Sequence, residues 1–272
     1  RTLLHRAAIA ATKPLSALAT LPGIYTACRY MEAYLAYLLG KGSVSLNDLK
    51  TEVRSVLSCV TREKPVIFDI GANIGEWAAL IHSMRNDATV YMFEPAPDCH
   101  DAIRALNLPR SILIPMAVSD TPGSATLYSS AERNSGASLE KRTDTLYADR
   151  NFAEHKVGVT TIDQVIEDYK LPYVDFVKID IEGHELSAIR GAKKALAAGK
   201  IGAFLFEFGA GNVNAKTFFR DFWDLFTNAG FALYRVAPTR LLEIKGYYED
   251  LEYFGGETNY IARLKNPPIS GR

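Results

Sequence analysis

The sequence predicts an α/β protein in which a mostly parallel, doubly wound sheet follows a helical N-terminal extension. From residue 65 onward, short apolar segments alternate with amphipathic ones, which is typical of a parallel sheet covered by helices on both faces. Residues 1–64 lack strand alternation. The chain has 272 residues, of which 48% are hydrophobic, so it can bury a sizeable core. We therefore predict a helical extension over 1–64 and one α/β domain over 65–272.

The extension contains one well-marked helix and no predicted membrane span. Its apolar residues recur at three- and four-residue steps: Leu46, Leu49, Val53, Val56, Leu57 and Val60. Ser45, with Asp48 three residues later, is a typical cap at a helix start. The most apolar stretch, 15–39, is interrupted by a proline, a glycine and two charged residues, so it falls short of a spanning helix. If the protein forms an oligomer, we expect it to assemble through 1–64.

Seven main strands and four helices are predicted in the α/β domain. The strands are 66–70, 89–93, 112–118, 174–181, 203–208, 231–236 and 259–264. The helices are 76–84, 98–106, 185–198 and 216–228. Pro115 cannot donate a ladder hydrogen bond, so the third strand is expected at a sheet edge.

The strand–helix alternation is interrupted over residues 119–160. Two short extra strands are predicted there, at 125–128 and 156–160. The polar stretch between them, 129–150, carries Asn134, Ser138 and Arg142. Because long insertions at this level of an α/β sheet are often lids over a site, we interpret this stretch as a lid.

The loop after the first strand indicates a nucleotide-type ligand. Gly71 and Gly75 allow a sharp turn and a close approach of the backbone to a ligand. A dinucleotide fingerprint would also require glycine at positions 73 and 76, where the chain has Asn73 and Glu76. A carboxylate at the helix start would also repel a pyrophosphate. A nicotinamide dinucleotide is therefore disfavoured.

Glu94 ends the second predicted strand, 94 − 75 = 19 positions after Gly75. This is close to the offset of about 20 residues at which an acidic side chain meets ribose hydroxyls. A carboxylate there can accept two hydrogen bonds from a vicinal diol. We therefore predict a ribose-binding role for Glu94.

Four motifs together resemble the FkbM family of S-adenosylmethionine-dependent methyltransferases. They are D-I-G-A-N-I-G at 69–75, F-E-P at 93–95, A-V-S-D at 117–120 and K-I-D-I-E-G-H-E at 178–185. The resemblance covers about residues 65–265. It implies a seven-stranded, Rossmann-like class I methyltransferase sheet and S-adenosylmethionine as the cofactor. The cofactor-binding residues it implies are Asp69, Gly71, Ala72, Asn73, Gly75, Glu94, Pro95, Ala117, Val118 and Ser119.

A group of acidic residues and one histidine is predicted at the carboxyl ends of the later strands, where ligands bind in open α/β sheets. Methyl transfer to an alcohol requires an aligned acceptor and removal of its proton, which a carboxylate or imidazole can perform. The candidate catalytic residues are Asp180, Glu182, His184 and Glu207. For His184, a general base and a capping or supporting histidine are equally consistent with the sequence. Asp180, Glu182 and Glu207 could also hold magnesium, but we favour no metal.

The resemblance implies an O-methyltransferase acting on a hydroxyl of a sugar, glycan or natural product. The chain has 31 basic and 31 acidic residues, a balance that argues against a nucleic-acid partner. Two alternatives stay open: a nicotinamide-dependent oxidoreductase on a Rossmann-like fold, and a non-catalytic binding or scaffolding module. Three scattered cysteines do not form a disulfide framework, so a reducing, cytoplasmic location is expected.

Overall fold

A computed structural model of the chain describes residues 12, 16–42, 49–130, 133–142, 152–237 and 239–267. Its α-helices in chain order, α1 to α9, are Pro22–Leu38, Leu49–Leu57, Glu76–Met84, Pro97–Ala105, Ile162–Asp168, Glu185–Arg190, Lys193–Ala197, Ala210–Ala215 and Phe219–Asn228. Its strands, β1 to β12, are Val66–Ile70, Thr89–Phe93, Ser111–Ile114, Ala117–Val118, Gly123–Ser130, Arg133–Ser138, Phe152–Thr160, Val174–Ile179, Ile201–Phe208, Phe231–Ala237, Arg240–Ile244 and Thr258–Leu264.

The predicted doubly wound α/β sheet is confirmed. Eight strands lie in the order β11-β10-β12-β9-β8-β1-β2-β3, and the five from β9 to β3 pair in parallel. The strand order reverses between β1 and β8, which makes this the topological switch point, where open α/β sheets bind ligands. All seven main strands predicted from the sequence contribute to this sheet. The eighth, β11, forms an antiparallel hairpin with β10.

Two hydrophobic clusters cover the two faces of this sheet. Successive side chains of a strand point to opposite faces, so Ile67 packs with α2, α3 and α4 while Phe68 packs with the α5, α6, α7 and α9 face. The second of these clusters is rich in phenylalanine, and the rings of Phe206 and Phe222 stack with their centroids 4.7 Å apart. The central strands are buried on both sides, which explains their nearly continuous apolar sequences.

Two predicted elements are interrupted in the structure. The third strand breaks at Pro115: β3 is an edge strand of the large sheet, as predicted, but Ala117–Val118 pairs with β7 in a second sheet. The predicted helix 185–198 is two helices, because the carboxylate of Asp163 accepts hydrogen bonds from the Lys194 and Ala195 amides and so caps a new helix start.

The helix predicted over 216–228 begins only at Phe219. Lys216 adopts a left-handed conformation (φ 54°) that ends the preceding short helix α8. Asp221 then accepts a hydrogen bond from the Phe218 amide at the start of α9. Local capping therefore sets this boundary more strongly than hydrophobic periodicity does.

The insertion between β3 and α5 forms a four-stranded sheet in the order β4-β7-β5-β6. The two extra strands predicted at 125–128 and 156–160 are present and longer, as β5 and β7. Part of the polar stretch interpreted as a lid is the strand β6, and residues 143–151 lie outside the described part of the chain.

The two described helices of the N-terminal region differ in their surroundings. Val53 and Val56 of α2 are fully buried in the cluster that contains Trp77. Helix α1 buries only Ala36. The cap predicted at Ser45 and Asp48 lies outside the described residues. Of the helices in the described ranges, none combines the length and the apolar character needed to cross a bilayer.

Candidate active site at the switch point

The glycine loop after β1 is shaped by close backbone contacts. The amides of Gly71 and Ala72 both donate to the Phe93 carbonyl at 3.0 Å, which ties the loop to the end of β2. Gly71 has φ +84°, and a Cβ atom there would collide with the carbonyl oxygen of Asp180. Glycine is therefore required at position 71, because the loop after β1 and the loop after β8 pass each other in contact.

The same loop ends at the N-terminus of α3. Gly75 precedes the helix with φ +83°, and a Cβ there would lie 2.7 Å from the Leu106 side chain. Asn73 also has a positive φ, of 49°. Asparagine adopts a positive φ more readily than most residues, which explains why position 73 does not require glycine.

Glu94 occupies the end of β2 and is 6% exposed. Its carboxylate accepts hydrogen bonds from the Asn73 amide at 2.7 Å and the Ala96 amide at 2.8 Å. Burial raises the pKa of Glu94, whereas these two amides lower it. Each carboxylate oxygen has a further lone pair, so the group can still accept hydrogen bonds from a ligand diol.

A cleft of about 150 Å³ opens at the switch point. The predicted residues that line it are Gly71, Asn73, Glu94, Pro95, Ala117, Val118, Asp180, Glu182 and His184. The structure therefore brings most of the predicted cofactor residues and three of the four predicted catalytic residues to one cavity. Asp69, Ala72, Gly75 and Ser119 do not line it, and Glu207 lines a small neighbouring cavity.

Behind the glycine loop lies a buried ion-pair network centred on Lys178. The Lys178 ammonium is 3.2 Å from Asp69 Oδ1 and 3.4 Å from Asp180 Oδ2, and it donates to the Gly71 carbonyl at 3.4 Å. Burial lowers the pKa of Lys178, but the charges of Asp69, Asp180 and Glu52 outweigh burial and raise it. Lys178 is therefore a fixed cation that joins the glycine loop after β1 to Asp180, which follows β8.

Several carboxylates lie at the end of the cleft that contains Asp180 and Glu182, which we call the acceptor end. Asp180 is the most accessible, with 43% of its side chain exposed. Burial, together with the charge of Asp180, raises the pKa of Glu182. Burial, together with the charges of Asp180 and Glu182, raises the pKa of Glu207 well above its ordinary value. Glu207 shares its small cavity with Glu185 and Glu257.

Residues 136–142 contact the loop after β8 through side chains. The Ser138 hydroxyl donates to the carbonyls of Ile181 and Glu182, at 3.2 and 3.0 Å. The guanidinium of Arg142 pairs with Glu182 at 2.9 Å. Ser138 also lines the cleft, so this segment forms one wall of the site.

Both ring nitrogens of His184 are engaged within the protein. Nδ1 donates to Glu140 Oε1 at 2.9 Å, and Nε2 lies 2.9 Å from Ser119 Oγ. Of the two roles that the sequence left open, this geometry favours a supporting histidine, which joins Ser119 and Glu140 to the loop after β8.

The residues present suit the adenosyl and amino-acid parts of a nucleoside sulfonium. Glu94 offers acceptor oxygens for hydroxyls, and Met116, Val118 and Leu127 give the cleft an apolar wall for a base. The fully buried Asp69 meets Lys178 through Oδ1, whereas its Oδ2 has no hydrogen-bond partner, which leaves acceptor capacity beneath the glycine loop. In the described ranges, no three His, Cys, Asp or Glu side chains are grouped as metal ligands.

Several contributors to the site were not predicted from the sequence. Lys178 lies inside a motif, but its role depends on the crossing of two loops. Glu52 comes from the N-terminal region and accepts a hydrogen bond from Trp77. His100 is not among the predicted site residues, but its Nε2 lies 2.7 Å from the Glu94 carbonyl, next to the predicted ribose site. Nothing in the sequence around Glu140 marks it as a site residue, and no spacing rule links it to His184.

Comparison with known proteins identifies the family. A family model described as "Methyltransferase FkbM domain" matches residues 69–233, which is more than half of the chain. The chain is 28% identical over 158 residues to the hexuronic acid methyltransferase AglP of Haloferax volcanii, covering 56% of this chain and 60% of AglP. It is 28% identical over 160 residues to the 31-O-demethyl-FK506 methyltransferase FkbM of Streptomyces tacrolimicus, covering 49% and 62%.

The matched region thus spans about 60% of the length of these curated relatives. Among solved structures, the plantazolicin methyltransferase BpumL in complex with SAH aligns with a TM-score of 0.44 and 8% identity. That alignment covers 90% of this chain and 92% of BpumL.

Proposed function

This chain belongs to the FkbM methyltransferase family, and we propose that it is an S-adenosylmethionine-dependent O-methyltransferase acting on a hydroxyl of a sugar, glycan or natural product. One observation carries the proposal. Glu94, at the end of β2, and Asp180, just after β8, line the same cleft at the switch point of the sheet. The first is suited to hold a ribose, and the second is an accessible carboxylate within the same cavity. The names of the relatives AglP and FkbM support methyl transfer to such acceptors.

The chain's own residues account for cofactor binding and acceptor activation. S-adenosylmethionine, when bound, supplies a methyl group activated on a sulfonium. Glu94 would accept hydrogen bonds from the ribose hydroxyls, and the loop at Gly71 would hold the amino-acid end. Asp180 would accept the proton of the acceptor hydroxyl, while Lys178 at 3.4 Å holds the carboxylate in place. His184 would act by holding the wall at Glu140 against the acceptor loop.

The charge of the acceptor end favours a neutral hydroxyl compound. Asp180, Glu182, Glu207 and Glu257 line the cleft or the adjoining small cavity. The two cations in contact with these carboxylates are already paired, Lys178 with Asp180 and Arg142 with Glu182. A phosphorylated or carboxylated acceptor would meet repulsion there, so we propose an uncharged sugar or polyol in preference to a nucleic acid or a uronic acid.

Calorimetry with S-adenosylhomocysteine tests the cofactor assignment. The wild-type protein is expected to bind it, and Glu94→Gln is expected to weaken binding by at least about tenfold, because one good hydrogen-bond acceptor pair is lost. Glu76→Gln is the matched control, since Glu76 is an exposed carboxylate beside the same loop. Binding of NAD without binding of S-adenosylhomocysteine would overturn the proposal in favour of an oxidoreductase.

Turnover with a panel of neutral sugars, the corresponding uronic acids and natural-product alcohols tests the reaction. Transfer of labelled methyl groups is expected for neutral acceptors. Asp180→Asn is expected to lower kcat more than it changes cofactor affinity, with the exposed Asp168→Asn as its control. A non-catalytic module would bind the cofactor and methylate none of these acceptors.

A further inference from the structure

We infer that Glu52, on helix α2, is a positioning residue of the cofactor site that acts through Trp77 and Lys178. This inference rests on the proposed function. Glu52 lies upstream of residues 69–233, the part of the chain matched by the family model. The inference therefore assigns an active-site role to a segment that the resemblance does not cover.

Glu52 joins three elements of the domain through two short hydrogen bonds. Its Oε1 accepts from Trp77 Nε1 at 2.8 Å, and its Oε2 accepts from Asn259 Nδ2 at 2.8 Å. Trp77 is the second residue of α3, directly after the glycine loop, and Asn259 lies on β12. Trp77 and Asn259 are 3% and 5% exposed, so both donors are buried and need this carboxylate.

The Trp77 ring, held in place by Glu52, contacts Lys178 in turn. The Lys178 ammonium lies 5.8 Å from the centre of the Trp77 ring, within the range of a cation–π contact. Lys178 in turn donates to the Gly71 carbonyl and pairs with Asp69 and Asp180. Glu52 thus fixes the Trp77 ring through a hydrogen bond, and this ring supports the Lys178 ammonium. That ammonium touches both the glycine loop and Asp180.

Charge gives Glu52 a second effect on the same site. The groups that face Lys178 are the carboxylates of Asp69 on β1, Asp180 after β8 and Glu52 on α2, together with the Trp77 ring of α3. When ionised, three carboxylates and one ammonium sum to −2. S-adenosylmethionine, with a sulfonium, an ammonium and a carboxylate, carries a net charge of +1 and is favoured by this negative excess. Removing the charge of Glu52 reduces the excess.

Ligand affinity and the unfolding midpoint are measured for Glu52→Gln and Glu52→Ala. Together they distinguish an effect of the charge or the position of Glu52 from an effect on folding. Glutamine can still accept the Trp77 hydrogen bond through its amide oxygen, and its NH2 group can donate to Asn259 once that side-chain amide turns its oxygen inward. Glu52→Gln therefore removes mainly the charge. We expect it to raise the Kd for S-adenosylmethionine, which carries the sulfonium charge, about three- to tenfold, as for one charge in a partly screened site, without lowering the unfolding midpoint. Glu52→Ala also releases the ring and is expected to weaken binding further. The exposed Glu167→Gln is the matched control.

A second variant tests the link through the indole. Trp77→Phe keeps the carboxylate but removes the N–H donor, and it is also expected to weaken S-adenosylmethionine binding. If the wild type binds this ligand and both Glu52→Gln and Trp77→Phe bind it equally well, the role of Glu52 is refuted while the proposed function stands. If the wild type itself fails to bind, the proposed function fails first. Loss of affinity that only follows a lowered unfolding midpoint would show a merely structural role.

Discussion

Glu185→Gln is expected to change how the stability of the protein depends on pH. Glu185 begins helix α6 and is 1% exposed. Its Oε1 accepts hydrogen bonds from the Ile181 and Gly183 amides at 3.1 and 3.0 Å, whereas its buried Oε2 has no hydrogen-bond partner. Burial raises the pKa of Glu185 from 4.5 to about 7. A glutamine can keep both amide bonds and cannot ionise.

The raised pKa of Glu185 determines the direction and the size of the change in stability with pH. Between pH 4.5 and 7 the folded state holds a proton that the unfolded state has lost, so the free energy of unfolding falls as pH rises through this window. The stabilising contribution is complete below 4.5 and lost above 7. The shift is 7 − 4.5 = 2.5 pH units, so at 1.36 kcal/mol per unit ionisation costs the folded state up to about 3 kcal/mol. Between pH 5 and pH 8 the change is about 2–3 kcal/mol.

Urea denaturation at pH 5 and at pH 8 measures the effect. The free energy of unfolding of Glu185→Gln, relative to wild type, is expected to be about 2–3 kcal/mol higher at pH 8 than at pH 5. Glu76→Gln is the control, because Glu76 also begins a helix but is exposed. A relative stability of Glu185→Gln that stays constant from pH 5 to pH 8 would refute the argument.

Three further predictions concern the loop, the core and a buried thiol. Gly71→Ala, which places a Cβ against the Asp180 carbonyl at φ +84°, is expected to abolish S-adenosylhomocysteine binding in calorimetry. Phe222→Ala removes a fully buried stacked ring, and urea denaturation should show a loss of about 3–5 kcal/mol. Burial raises the pKa of Cys99 to about 11, so mass spectrometry should find the exposed Cys28 alkylated at pH 8 while Cys99 in the folded protein is spared.

The parts of the fold that depend on local pattern were predictable from the sequence. Nearly continuous apolar runs such as β1 and β2 are buried, and that pattern indicates a parallel sheet covered on both faces. Pro115 marks the edge strand because it lacks an amide proton. The glycine loop and Glu94 have spacings set by one strand–helix–strand unit, so the sequence places them at one end of the sheet.

The other parts depend on contacts between distant segments, which no local pattern encodes. Asp163 caps helix α7 from about thirty residues upstream, and therefore a helix predicted as one is two. Glu140 meets His184 only because the second sheet folds over the cleft. The predicted boundary at residue 64 stays a prediction, but Glu52 and Val53 of α2 contact the core and the site of the α/β domain.

The position of Lys178 makes the cofactor and acceptor ends of the cleft one electrostatic unit. Its ammonium contacts Asp69, beneath the cofactor loop, and Asp180, at the acceptor end, within 3.4 Å. Deleting Lys178 would leave Asp69 as an uncompensated, fully buried charge, and such a loss costs far more than the pair itself contributes. The effects of substitutions at Asp69 and Asp180 are therefore coupled through one residue. The acidic cleft of a chain with zero net charge thus holds two buried cations, Arg142 at Glu182 and Lys178 at Asp180, of which Lys178 also contacts Asp69.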